Sequence, residues 1–469
     1  MSTPTPLAAI KTTPAKDASW ITDGAWMSGV AGAITVVVLA LIYNADKTLE
    51  KGLSIAGWQI THERIDSLLA ALCIITIVMI SVELIRLFQR EGKAFLQPAP
   101  ELANQQSGKL FGEALSSYIL NLILIGVITV FYHSAGEYGF NNKAPYYQPW
   151  FRLLELILIF YAIIGLPYAY FTRAYRHNPQ LDKKDLSTLT GRVCAHLISF
   201  VPGLKHLRPI FDENDKKAAV GLIVKMFFTP LMTVYFCDQF PHLITNIGYL
   251  LEGLPRNIAE GFYTHTKFNG DFFNISIALI FSVDVALAWC GYMISSRWVD
   301  NQTASAEPTI LGWIVCISCY PPFQMLLGFY FSAPSEHEVL KFTNQWLITL
   351  FTGMMVCSYL VYMSATLWFG VRFSNLTNRG IIRKGPYAYV RHPAYASKNF
   401  AWWCVMFPAI IFNAQHTGLG LAGMQIVGLM LMTYTYYLRA MTEERHLSAD
   451  PVYLEYCKQV PYRFIPKIF

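Results

Sequence analysis

The 469-residue chain is 54% hydrophobic and only 14% charged, with a mean hydropathy of +0.36 and a formal net charge of +6. Soluble domains carry roughly a quarter charged residues, so this composition excludes an ordinary water-soluble enzyme and points to a polytopic membrane protein. The excess positive charge sits in particular loops, as topology dictates, and does not indicate a nucleic-acid partner.

Residues 1–26 form a polar, Pro/Thr/Ala-rich tail with no basic stretch leading into a short apolar core, so no cleaved signal peptide is expected. Apolar runs then predict an all-α bundle of ten transmembrane helices, near 27–44, 67–86, 112–132, 151–171, 218–236, 271–296, 308–331, 344–370, 396–413 and 419–438. The stretch 240–255 is apolar but short and reads as re-entrant or interfacial, as does 192–203. Nine cysteines lie scattered, mostly within apolar runs, and read as packing residues. Cys316 and Cys319 have a metal or redox spacing without a second pair, so packing is the reading there too. Pro321-Pro322 is expected to kink its helix and open a lipid-side entrance.

Several ionisable residues fall within or beside these runs. Asp284 lies near the middle of 271–296, where a carboxylate is costly and faces the bundle interior. It is a candidate substrate residue in a polar cavity, or one half of a structural ion pair for which Lys225 is the natural partner. Glu83 and Glu155 are close enough to span ends to reach the interface.

Loop 172–217 holds nine Lys and Arg residues and loop 371–395 holds five, whereas 133–150 and 332–343 hold one each. The positive-inside rule then puts both termini and both basic loops in the cytoplasm, with a bacterial inner membrane as the expected setting. Residues 27–340 are read as an N-terminal membrane region and 341–469 as a C-terminal membrane unit.

That C-terminal unit carries the chemistry. Gly385-Pro386-Tyr387 is a turn, and Arg391-His392-Pro393-Ala394-Tyr395 leads into the next helix. The link 414–418 is short enough to permit only an antiparallel hairpin. Arg391, His392 and Tyr395 therefore return to the rim that holds Arg439, Glu443 and Glu444. Arg439 and Glu443 are four apart and can pair, while Glu444 points about 100° away. The bland alternative is that Arg391 is a topology anchor and Tyr387, Tyr389 and Tyr395 are interfacial aromatics.

With Tyr453-Leu454-Glu455-Tyr456 and Arg463-Phe464-Ile465-Pro466, the ordered set over 371–469 resembles the isoprenylcysteine carboxyl methyltransferase and phospholipid N-methyltransferase superfamily. The resemblance implies S-adenosylmethionine as cofactor, bound at the membrane face, and a lipid or lipidated acceptor. It implies a cofactor site at Tyr387, Tyr389, Arg391, His392, Pro393, Tyr395 and Glu444, with Arg439 and Glu443 as catalytic residues. A zwitterion needs an anion for its ammonium, Glu443 or Glu444, and a cation or donor for its carboxylate, His392 or Arg391. No metal is implied.

The end of the chain also resembles the membrane sterol reductases, which use NADPH. Ala394 stands where that family places Asn, and Ser448-Ala449-Asp450-Pro451-Val452 lacks the Lys-Tyr-Gly that precedes its Tyr, so methyl transfer is favoured. A transporter or lipid-binding protein with a degenerate enzyme tail is the remaining class. Against it, no inverted repeat is evident.

Overall fold

The computed structural model describes residues 19–97, 107–140, 146–176, 182–323 and 342–468. In chain order its principal helices are α1 (Trp26–Ala45), α2 (Arg64–Glu91), α3 (Ser107–Ser134), α4 (Gln148–Tyr175), α5 (Leu186–Ile198) and α6 (Glu213–Gly248). These are followed by α7 (His265–Met293), α8 (Ile310–Ile317), α9 (Gln345–Phe369), α10 (Pro393–His416), α11 (Leu419–Leu447) and α12 (Pro451–Gln459). Strands occur only as two antiparallel pairs among the described residues. The first joins β1 (Ser54–Ile55) to β2 (Trp58–Gln59), and the second joins β3 (Ser305–Ala306) to β4 (Thr377–Asn378).

Eight described helical segments are long and apolar enough to cross a bilayer, where the sequence suggested ten spans. Of the other two expected spans, 396–413 lies in α10, which starts at the polar rim and carries Lys398. In 308–331 the described helix is only Ile310–Ile317, followed by turns to Phe323, and the remainder lies outside the described residues. The stretch 240–255, expected to be re-entrant or interfacial, does not re-enter. It continues α6 through a π turn at Tyr249–Gly253 into Leu254–Ala259. The reason is an unbroken apolar stripe, Phe236, Phe240, Leu243, Ile244 and Ile247, all buried at helical spacing. Phe240 packs edge-on against Tyr43 of α1, so the bundle holds the helix across Pro241. The 47-residue segment from Glu213 to Ala259 is about 70 Å long at ~1.5 Å per residue, well beyond a ~30 Å hydrocarbon core.

Its start is set locally. The Asp212 carboxylate accepts from the backbone of Asn214 and Asp215, and Asp215 accepts from the Asp212 N–H, a reciprocal capping box.

Contacts between helix ends establish which loops share a side. Arg86 near the end of α2 donates to the carbonyls of Trp20 and Ile21, just before α1. Arg173 at the end of α4 meets Glu113 at the start of α3. Arg176 reaches Glu91 and the Arg297 carbonyl, Arg297 pairs with Asp182, and Lys384 lies 3.3 Å from Asp23. Loops 172–217 and 371–395 thus gather at one end, while Asp66 and Arg152 pair at the other.

The N-terminal helices and the C-terminal unit pack directly. Gly29 of α1 lies so close to the Leu367 carbonyl of α9 that a Cβ there would overlap it. Glu83, expected to reach the interface, is instead fully buried between Arg86, Ser28 and Arg372.

Candidate functional site

Two adjacent carboxylates near the end of α11 face in different directions, and their partners define the site. Glu444 Oε1 accepts from Arg391 Nε at 2.8 Å and His392 Nε2 at 3.1 Å, and Oε2 accepts from Arg463 Nε at 3.1 Å. The Arg391 and His392 backbone N–H groups donate to the carbonyls of Tyr462 and Arg463, and Arg391 Nη1 reaches the carbonyls of Val460 and Pro461. Glu444 therefore fastens the chain end across the start of α10. Burial disfavours the Arg391 charge, but the hydrogen bond and charge of Glu444 outweigh it and hold the guanidinium pKa above its ordinary value. Gly385, with φ of +64°, makes the preceding turn, where a Cβ would overlap the Trp368 ring.

Glu443 looks the other way. Its Oε2 accepts from the Tyr395 hydroxyl at 2.7 Å. Arg439, 5% exposed, does not pair with it as expected, and no carboxylate among the described residues lies within ion-pair distance of its guanidinium. Arg439 Nη2 donates instead to Asn375 Oδ1 at 2.6 Å, and the rings of Tyr395, Tyr436 and Tyr320 lie 5.1, 5.6 and 5.7 Å from its central carbon. Asn375 is itself positioned by α7, because its backbone N–H donates to Tyr292 Oη at 3.0 Å, and its Nδ2 donates to Tyr320 Oη.

These groups line one cavity, with Arg391, His392 and Tyr395 on one wall and Asn375, Arg439 and Glu443 on the other. Tyr362, Thr366 and Lys398 form a further wall. The room between them is about 80 Å³, space for two or three waters at ~30 Å³ each. The Lys398 ammonium lies 5.3 Å from the Tyr362 ring and 5.6 Å from the Trp402 ring.

Asp284 stands directly behind this cavity. Tyr362 and Thr366, both lining residues, donate to its carboxylate at 2.8 and 2.6 Å. Lys225 is not its partner; that ammonium lies in a separate cavity. The expected site residues therefore divide into groups. Tyr387, Arg391, His392, Tyr395, Arg439 and Glu443 share the cavity. Glu444 and Asp284 sit one layer behind it, Pro393 opens α10, and Tyr389 is 69% exposed and faces away. Asn375, Tyr362, Tyr436 and Lys398 were not anticipated. Lys398 was within reach of sequence reasoning, since 392, 395 and 398 recur at three-residue spacing along one helix face.

Residues 346–449 match the isoprenylcysteine carboxyl methyltransferase family. No curated protein and no solved structure matches the chain. The matched segment begins one residue into α9 and ends two beyond α11, and it contains every residue that lines the cavity except Tyr320. The chain is thus a multi-pass membrane-helix protein with a methyltransferase-like C-terminal segment.

Proposed function

We propose that the protein transfers a methyl group from S-adenosylmethionine to a lipophilic acceptor, such as a prenylcysteine-like carboxylate or a lipid amine. The observation that carries this reading is the coincidence of the matched segment with the cavity. Apart from Tyr320, the whole lining falls within 346–449.

The donor set suits the cofactor. A carboxylate, three cations and several aromatic faces suit a zwitterionic amino acid joined to a sulfonium. The volume does not accommodate it as folded, so side chains lining the cavity must move apart on binding. Glu444 has its oxygens engaged by Arg391, His392 and Arg463, which makes Glu443 the carboxylate for an ammonium group. Arg439, lacking a carboxylate, is the group for an anion, either the cofactor's carboxylate or that of the acceptor. When bound, S-adenosylmethionine supplies an electrophilic methyl on sulfur. Displacement at that carbon needs alignment and exclusion of water more than acid–base strength. Tyr395 and Tyr436 shield the cavity, Arg391 and His392 close it through the chain end, and Arg439 orients the incoming group. The basic loops at the same end support a cytoplasmic setting for this face under the positive-inside rule.

The test is cofactor binding by the detergent-purified full chain, with S-adenosylmethionine and NADPH compared directly. Saturable S-adenosylmethionine binding, weakened by His392→Ala, is expected. Binding of NADPH alone would transfer the site to hydride chemistry, and binding of neither would leave a non-catalytic membrane protein.

A further inference from the structure

A second cavity, of about 350 Å³, lies among the N-terminal helices between α3, α4, α6 and the end of α7. Its volume falls at the lower end of the ~300–1,000 Å³ typical of small-molecule sites. Its stem is apolar, with Leu124, Ile125, Ile128, Leu154, Ile157 and Met226 facing inward. Its other end carries three cations, Arg173, Lys225 and Arg297, and one carboxylate, Asp185.

Counting charges separates these three cations. Arg173 is met by Glu113, and Arg297 by Asp182 and Asp185. Lys225 has no carboxylate within ion-pair distance among the described residues, and the charge acting on it is that of Arg379, of like sign. Arg379 is 5% exposed and rests on the carbonyls of Gly291 and Ile294 without a carboxylate of its own. Arg297 is 6% exposed, lines the cavity, and leaves its buried Nη1 without a hydrogen-bond partner. An unanswered ammonium, a second cation close behind it and an orphaned guanidinium N–H surround the head of an apolar slot. Such an arrangement is costly in a membrane interior unless an anion completes it.

We infer that this cavity binds a single-chain amphiphile with an anionic head, the chain along α3 and α4 and the head at Lys225 and Arg297. The volume suits one chain with a small head. Carboxylate and phosphate share the required chemistry. This binding is separate from methyl transfer and stands or falls by itself.

The full chain, purified in detergent, is titrated with a fluorescent conjugated fatty acid and with the alcohol of the same chain. A monoalkyl phosphate and a free fatty acid then compete for the site. The acid is expected to bind at least ~10-fold tighter than the alcohol, a difference of ~1.4 kcal/mol. Lys225→Met should abolish that difference while leaving the alcohol's affinity in place. Ile125→Trp, which fills the stem, should weaken both probes. The stronger competitor identifies the head group. S-adenosylmethionine binding and the unfolding midpoint, measured on the same variants, report a fold that is intact. Equal affinity for acid and alcohol in the parent would overturn the inference, as would a Lys225→Met variant that still prefers the acid. So would an Ile125→Trp variant that binds like the parent.

Discussion

Two buried arginines near the same end of the bundle show how differently one residue type can be used. Arg372, 2% exposed, faces Glu83 at 3.5 Å and donates to the carbonyls of Val299 and Asp300, and Glu83 also receives Ser28 and Arg86. Arg439, 5% exposed, has one amide oxygen and three aromatic faces. At the first site a carboxylate answers the charge within the protein. At the second the charge looks into a cavity. A guanidinium compensated by its own chain serves the packing of α1, α2 and α9, whereas one left uncompensated beside a cavity is available to a ligand.

The largest effect that would test this contrast is at Glu83. Glu83→Ala strands Arg372 as a buried cation, leaves Arg86 only its carbonyl partners, and is expected to cost about 3–5 kcal/mol, read as lost thermal stability in detergent. Removing both charges, in Glu83→Met/Arg372→Met, should restore much of the loss. A single variant as stable as the parent would end the structural assignment. Arg439→Gln should behave oppositely. It removes an uncompensated charge, so the unfolding midpoint should hold or rise, while methyl transfer falls by about 10²-fold, the typical loss of one positioned electrostatic donor. An Arg439 variant that unfolds as the Glu83 variant does would place the two arginines in one class.

Glu444→Gln should fall between these. It weakens the hydrogen bonds from Arg391, His392 and Arg463, so the chain end should loosen from α10, with stability down by about 1.5–3 kcal/mol. Cofactor affinity should drop about tenfold, because Arg391 and His392 lose their anchor. Protease sensitivity confined to residues after 450 would separate this release from global unfolding. Intact affinity with a released end would show that the latch does not serve the site.

Much of this was legible in the sequence. The positions of most long helices, the gathering of two basic loops at one end, and the hairpin that returns Arg391, His392 and Tyr395 to Glu443 and Glu444 follow from apolar runs, loop charges and a short link. Partners were harder to read. Helical spacing allows Arg439 to pair with Glu443, but Asn375, positioned by Tyr292 of α7, takes the guanidinium while Tyr395 takes the carboxylate. Both outcomes depend on helices distant in sequence. Asp284 shows the same limit. Its burial was readable, but the opposition of α7 and α9 that gives it Tyr362 and Thr366 was not. The re-entrant reading of 240–255 failed for a related reason: prolines and shortness are local signals, and packing against α1 overrode them.

The smallest effect sharpens the contrast most. Tyr395→Phe keeps the ring beside Arg439 and removes only the hydroxyl given to Glu443. A net contribution of ~0.5–1.5 kcal/mol for one hydrogen bond corresponds to a change of about two- to tenfold. If Glu443 holds an ammonium, removing the competing hydroxyl frees an acceptor site on the carboxylate while loosening its orientation. Cofactor affinity should then change by no more than that factor, while Tyr395→Ala, which also removes the ring, should lose considerably more. The difference between the two variants measures what the aromatic face contributes. Equal losses in Phe and Ala would assign the whole effect to the hydroxyl, and Arg439 would then owe its place in the cavity to Asn375, Tyr436 and Tyr320.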